Sequence, residues 1–210
     1  MKLTVIGTGN VGGTLGTRWA EAGHEVVFAA RDPQATKVKS LLKLSDNKAV
    51  AAGVSDAVAD ADVVVLATPW IAVRDVLAVC GDLRGKILID CTNPIGEGMG
   101  ELAVGHTTSA AEQIAGWAVG ARVVKAFNST GSNNMANPEY PDGTATMFVC
   151  GDDAEARHTA LELAKQLGFD VCDAGPLQAA RYLEPMAMLW IQLAYSQGLG
   201  RDIAFRLIKR

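Results

Sequence analysis

The sequence predicts an α/β protein, a doubly wound parallel sheet followed by a small α/β–helical domain. Three observations predict it. Short runs rich in Val, Ile and Leu alternate with stretches of helical spacing along residues 1–128, the pattern of a parallel sheet covered by helices on both faces. A glycine-rich turn joins the first apolar run to the first helical stretch. The chain of 210 residues is long enough for one full domain and a smaller appendage. These set an expected division into residues 1–128 and 129–210.

Residues 2–7 (KLTVIG) read as the first buried strand, and residues 11–22 as a helix with Leu15, Trp19 and Ala22 on one face. Residues 24–30 (HEVVFAA) form the second strand, and residues 33–44 have the spacing of the next crossover helix. A short strand is expected at 49–52, then strands at 62–67 and 86–90 with a helix at 71–80 between them. Residues 108–119 read as a helix, with Ser109 and Glu112 spaced as a capping box. Residues 122–127 (RVVKAF) give the last strand of the first part. The polar stretch 128–143, rich in Asn, Pro, Ser and Gly, is the expected hinge or active-site loop. Strand, helix and strand follow at 146–150, 153–167 and 171–174, and residues 178–207 read as helix, broken near Gly198 and Gly200 and kinked at Pro185.

Composition removes several classes of function. A hydrophobic share of 49% with 20% charged residues is an ordinary globular balance. The net charge of -4, with Lys and Arg scattered, argues against a nucleic-acid surface. No apolar run reaches the ~18 residues that span a bilayer, so no membrane partner is expected. Met1 leads straight into a strand and leaves no room for a signal peptide. Cys80, Cys91, Cys150 and Cys172 are too dispersed for a metal site or a disulfide framework; they read as structural thiols in a cytoplasmic protein, and no metal is expected. His24 sits at the entry of the second strand, the wrong end of the sheet for ligand chemistry, and reads as structural.

The turn VIGTGNVGG places Gly7, Gly9 and Gly12 in a G-x-G-x-x-G pattern after a strand and before a helix, the Rossmann dinucleotide fingerprint. Gly7 permits the tight turn, Gly9 lets backbone approach a pyrophosphate, and Gly12 lets helix pack on strand. The helix start then offers free amides and its dipole to the anion. At the end of the second strand, where NAD enzymes place an acid, stands Ala30, followed by Arg31. A guanidinium there clamps a 2′-phosphate, which favours NADP(H). Asp32 competes as a ribose acid, but its place before Pro33 suggests a cap for the next helix. Beyond the other strand ends lie Thr68 and Pro69, expected along the ribose and nicotinamide, then Asn93, Pro94 and Ile95 against the nicotinamide face, then Asn128.

The runs GTGNVGGTLG, AGHEVVFAARDP, ATPW, TNP, VVKAFNS, VCGDD and DAGPLQAARYLEPM resemble, in order and over nearly the whole chain, the F420-dependent NADP oxidoreductases and the oxidoreductase domain of the STEAP metalloreductases. The resemblance implies a Rossmann domain with a small second domain, often dimeric. It also implies hydride exchange between NADP(H) and a deazaflavin (coenzyme F420) or, in the metalloreductase relatives, a flavin such as FMN or FAD. It would put the diphosphate on Thr8, Gly9, Asn10 and Val11 and the 2′-phosphate on Arg31. Thr68, Pro69, Asn93, Pro94 and Ile95 would border the nicotinamide, and Ala126 to Asn128 with Gly175 to Leu177 would shape the second-cofactor cleft. The family commonly has Ser-Arg where this chain has Ala30-Arg31, which removes one possible phosphate hydrogen bond.

Carbonyl reduction needs a positioned proton donor, and residues 178–208 contain no Lys or His. A hydroxyacid or carbonyl reductase would have to use Lys125 or Tyr182. Hydride passed between two flat rings needs apposition and exclusion of water instead, so no obligatory acid–base residue is expected. Met135, Trp70 and Trp190 are candidates for ring contact or, more simply, for core packing. A sensor that binds NADP(H) without turnover and an NADPH-dependent flavin or ferric reductase remain the alternatives. The apolar run 186–195 (MAMLWIQLAY) hints at a homodimer contact.

Overall fold

A computed structural model describes residues 1–46, 48–96 and 100–210. The chain opens with β1 (Lys2–Ile6), α1 (Asn10–Glu21), β2 (Glu25–Ala29), α2 (Thr36–Leu44) and β3 (Ala49–Ala52). It continues through α3 (Val54–Ala59), β4 (Val63–Leu66), a 3-10 turn at Trp70–Ala72, α4 (Val73–Val79) and β5 (Ile87–Asp90). Next come α5 (Ala110–Trp117), β6 (Arg122–Lys125), α6 (Ser132–Ala136) and a small hairpin of β7 (Glu139–Tyr140) and β8 (Gly143–Thr144). The last elements are β9 (Thr146–Gly151), α7 (Ala154–Gln166), β10 (Asp170–Asp173), a 3-10 turn at Leu177–Ala179 and α8 (Ala180–Ile191), which ends in a π-helical turn at Gln192–Ser196.

The main sheet has eight strands in the order β10-β9-β6-β5-β4-β1-β2-β3. Every neighbouring pair is parallel except β6 with β9. The reversal between β1 and β4 creates the crevice at the carboxyl ends of the strands where this architecture takes ligands. Residues beyond 128 extend this same sheet, and Trp19 Nε1 on α1 donates to Leu163 O on α7 across the two parts (3.2 Å).

Alternation along each strand explains why the strands read as continuous apolar runs. Leu3, Val5, Val63, Val65 and Ile89 point to the face covered by α1, α6 and α7, while Ile6, Val64, Leu66 and Leu88 point to the face covered by α3, α4, α5 and α8. With both faces covered, neither register of side chain meets water. Helix α3 escaped the sequence reading because six residues are too few to show a 3.6-residue period. Ser109 caps α5 as expected, accepting from Glu112 N–H at 3.1 Å.

The final segment departs from its expected helix. Helix α8 runs through Pro185 without a break, but helical structure stops at Ser196. Positive φ at Gly198 and Gly200 turns the chain back, and residues after 200 form a strap rather than a helix. Phe205 O accepts from Thr146 N–H at 2.9 Å, and Ile203 O accepts from both Asn134 Nδ2 and Trp190 Nε1 at 2.7 Å. The polar stretch 128–143 is likewise not plain loop, since it holds α6 and the β7–β8 hairpin. No helix among the described residues is long and apolar enough to cross a membrane.

Candidate functional site

The glycine turn is where sequence dictates geometry most tightly. Gly7 has φ +109°, and a Cβ there would lie 2.4 Å from Ala67 O. A Cβ on Gly12 would lie 1.9 Å from Gly7 O, so α1 can approach β1 only with glycine at that position. Gly9 differs from both: a Cβ there would meet nothing within 4 Å. Two glycines are therefore required by the fold, and the third borders open space. Gly9 also provides the N-cap of α1 without any side-chain cap, and the first turn carries no acid. The amides of Asn10, Val11 and Gly12 are left as free donors at the positive end of the helix dipole.

Beside the turn opens a cleft of about 610 Å³ whose lining includes Gly7, Thr8, Ala30, Arg31, Thr68 and Pro69. Arg31 is exposed at the end of β2 and makes no ion pair among the described residues. Asp32 does not cap the following helix as expected. Its Oδ1 accepts from Gln34 N–H at 2.9 Å, and its carbonyl accepts from Ala35 N–H at 3.2 Å. Pro33 lies in that turn and α2 starts only at Thr36, so the Asp32 carboxylate is spent on its own loop.

The other end of the crevice is a polar ledge assembled from β4, β5, β6 and α8. Thr68 follows β4, and its Oγ1 is buried without a partner among the described residues. Asn93 and Asn128 pair across the ends of β5 and β6: Asn93 Nδ2 donates to Asn128 O at 2.8 Å, and Asn128 Nδ2 donates to Asn93 Oδ1 at 3.0 Å. Asn128 Nδ2 also donates to Leu183 O on α8 at 3.0 Å. Ile95 N–H donates to Asn93 O at 2.8 Å, closing the turn through Pro94. Thr92 Oγ1 and Asn128 Oδ1 are buried and have no partner among the described residues. Phe127, just before Asn128, has φ +59°, a conformation costly for a bulky residue by about 1–3 kcal/mol and typical of functional turns. Its packing against Trp19, with ring centroids 5.5 Å apart, holds it there.

Under the ledge lies a group of charges that the sequence reading missed. Lys125 Nζ donates to Asp90 Oδ2 at 2.8 Å and contacts Glu184 Oε1 at 2.9 Å, with all three side chains 0–1% exposed. Burial pushes the Lys125 ammonium down, yet the two carboxylates outweigh it and hold its pKa above the ordinary lysine value. One signal was legible: a lysine inside the apolar strand RVVKAF and an aspartate closing KILID each need a partner if buried.

The remaining expected residues are placed less favourably. Ala126 is fully buried, its N–H donating to Asp90 O at 3.1 Å. Gly175 to Leu177 follow β10, and Gly175 O accepts from Gly151 N–H at 3.0 Å, beside the Val124 pairing of β6. Because β9 runs antiparallel, that region sits toward the amino ends of the parallel strands, away from Asn128. Met135 is fully buried, Trp190 on α8 is buried with its indole donating to Ile203 O, and Trp70 stacks on Trp117 with centroids 5.5 Å apart. Lys125 is sealed in its ion cluster, while Tyr182 is 77% exposed on the outer side of α8. Neither stands as a proton donor over the ledge. Cys80, Cys91 and Cys150 are buried, and His24 bonds Gln166 at 2.7 Å, well away from the crevice.

Comparison with known proteins agrees with this architecture. The family model for NADP oxidoreductase coenzyme F420-dependent matches residues 2–94. The F420-dependent NADP reductase of Methanothermobacter thermautotrophicus is 36% identical over 207 residues, covering 92% of this chain and 89% of that protein. Metalloreductase STEAP3 of Rattus norvegicus is 31% identical over 190 residues, which cover 89% of this chain but only 36% of that protein. The crystal structure of a candidate F420-dependent NADP reductase from Arthrobacter sp. FB24 superposes over all of both chains with a TM-score of 0.91 at 33% identity.

Proposed function

The chain belongs to the family of F420-dependent NADP reductases, NADP-dependent oxidoreductases, and from that membership we propose that it transfers hydride between NADP(H) and a deazaflavin of the coenzyme F420 class. The observation that carries the reading is the cleft that brings Gly7 and Thr8 of the glycine turn together with Arg31, which has no ion pair among the described residues, beside the open, uncapped Gly9. Free amides of Asn10 and Val11, with Thr8 and Gly9, hold the diphosphate, and Arg31 holds the 2′-phosphate. Gly7 and Gly12 make the approach of that backbone possible. Thr68 and Pro69 lie along the ribose, while Asn93, Pro94, Ile95 and Asn128 form the nicotinamide ledge. The unpartnered Thr68 Oγ1 and Asn128 Oδ1 fit a ligand rich in hydroxyls and a carboxamide.

When bound, the nicotinamide and the deazaflavin supply the redox chemistry; the chain positions them, excludes water and neutralises phosphate charge. That task needs no side-chain acid, which suits a ledge whose nearest cation is locked away. The exposed Tyr182, Leu189 and Tyr195 on the outer side of the last helix support a homodimer contact, and four free thiols suit a reducing cytoplasm.

The test is NADPH oxidation, followed at 340 nm, with a deazaflavin, FMN, FAD, a ferric chelate and a set of keto acids as acceptors. Turnover with the deazaflavin is expected. Turnover with FMN, FAD or ferric ion alone would move the protein toward the metalloreductase relatives, and turnover with keto acids alone would contradict the reading. Tight NADPH binding with no acceptor would make it a sensor.

A further inference from the structure

The three buried charges under the ledge have a placement that stability alone does not explain. Replacing a buried ion cluster by well-packed apolar side chains is often neutral or stabilising, so a retained cluster calls for a use. Its hydrogen bonds converge on one residue. Asp90 Oδ1 accepts from Thr92 N–H at 2.8 Å, and Lys125 Nζ donates to Thr92 O at 2.6 Å. Both polar groups of the Thr92 backbone are thus gripped by opposite members of one ion pair, immediately before Asn93.

Glu184 completes the device from the other side. One lysine facing two carboxylates leaves an excess negative charge, and the start of α5 meets it. Glu184 Oε2 accepts from Ala110 N–H at 2.9 Å and Oε1 from Ala111 N–H at 3.1 Å. The neighbouring Leu183 carbonyl is the one that accepts from Asn128. Two consecutive residues of α8 therefore fix both halves of the ledge, Thr92–Asn93 through the cluster and Asn128 directly.

We propose that Asp90, Lys125 and Glu184 are positioning residues, whose ion cluster sets the Asn93–Asn128 ledge at the height and angle that hydride transfer requires. The proposal rests on the reading of that ledge as the nicotinamide side of the cleft. None of the three touches a reacting atom; they act through Thr92, Asn93 and Asn128.

The near-isosteric variants Glu184→Gln and Asp90→Asn test it, with thermal melting read first. Three quantities follow: affinity for 2′-phospho-ADP-ribose, which lacks the nicotinamide; fluorescence of bound NADPH; and kcat against KM with the deazaflavin. The cluster as a positioning device predicts a kcat lower by about 10- to 100-fold, the scale of a small misplacement of reacting groups. NADPH fluorescence should move toward that of the free dinucleotide, while affinity for 2′-phospho-ADP-ribose stays at the wild-type value. Folded variants with wild-type kcat and fluorescence would overturn the proposal. Equal losses for both ligands would overturn it as well, and so would failure of both variants to fold, because the cluster would then serve the fold as a whole. If wild-type protein reduces no acceptor, the proposed reaction fails, and the two binding measurements still decide what the cluster does.

Discussion

At the end of the cleft assigned to the adenosine and diphosphate, the ligand-facing groups come from one short turn and from Arg31. At the nicotinamide end they come from the tips of three strands, braced from below by a helix near the other terminus of the chain. Apart from Arg31, the first end is made of backbone, laid open by what is missing, a Cβ at three glycines and a side-chain cap on α1. The second is made of side chains cross-bonded in the interior, where each polar group depends on another. A backbone site tolerates little substitution but needs no distant support. A side-chain site can vary residue by residue, provided that its interior network stays satisfied.

The largest expected effect separates glycines that serve the fold from the one that serves the ligand. Gly12→Ala forces a Cβ against a backbone oxygen and should cost stability at the upper end of about 1–3 kcal/mol, read from urea melts. Gly9→Ala meets no protein atom within 4 Å and should cost no more than the about 1 kcal/mol of a poorer N-cap, while weakening NADPH binding. Equal stability losses for both variants would break the distinction. Next in size, Arg31→Ala should cost NADPH about 1.5–3 kcal/mol of binding, the scale of a charged hydrogen bond. NADH affinity should stay near its wild-type value, and titration calorimetry with both dinucleotides reads the difference.

At the nicotinamide end, Asn128→Ala leaves Leu183 O and Asn93 Oδ1 without their donor, at a cost of about 1–2 kcal/mol in stability. Unlike Arg31→Ala, it should lower kcat without changing the preference for NADPH over NADH. The smallest effect lies between α5 and α8, where the Arg181 guanidinium beside Glu112 holds that carboxyl below its ordinary value of 4.5. A depressed carboxylate contributes stability above its unfolded pKa and loses it as pH falls through the folded one. Arg181→Met should therefore melt slightly earlier than wild type at pH 7, with the gap closing in acid below the depressed value. Thiol chemistry checks the burial of the core. Burial pushes the Cys80 thiol up to about 11 and that of Cys150 up to about 12, and raises Cys91 as well. Native protein should react quickly with a thiol reagent at one position, the half-buried Cys172.

The contrast between the two ends also governs what the sequence discloses. Gly7, Gly9, Gly12 and Arg31 are legible because strand, turn, helix and second strand are contiguous, so spacing alone fixes their geometry. The parallel sheet with helices on both faces follows from the same alternation of apolar runs, whereas its strand order is set by which strands pair in the fold. Asn93 and Asn128 were visible as strand-end residues, but their mutual pairing was not, since 35 positions separate them. Glu184 reads as an ordinary charge on a helix until the fold brings it to Lys125. Asp32 looked like a helix cap because Asp-Pro commonly starts helices; the tight turn over Gln34 and Ala35 took its carboxylate first. The strap after Gly200 depends on docking beside Thr146 and Trp190, contacts that no local periodicity encodes.

Hydride transfer across the ledge is tested most directly by isotope. NADPH carrying deuterium at both C4 positions is mixed with oxidised deazaflavin and enzyme in ordinary water for a single turnover, and the reduced deazaflavin is weighed by mass spectrometry. Direct transfer predicts one deuterium on the deazaflavin ring and one left on the nicotinamide. Reduced deazaflavin that holds only solvent hydrogen, or NADPH that keeps both deuteriums beside an untouched deazaflavin, would contradict the account.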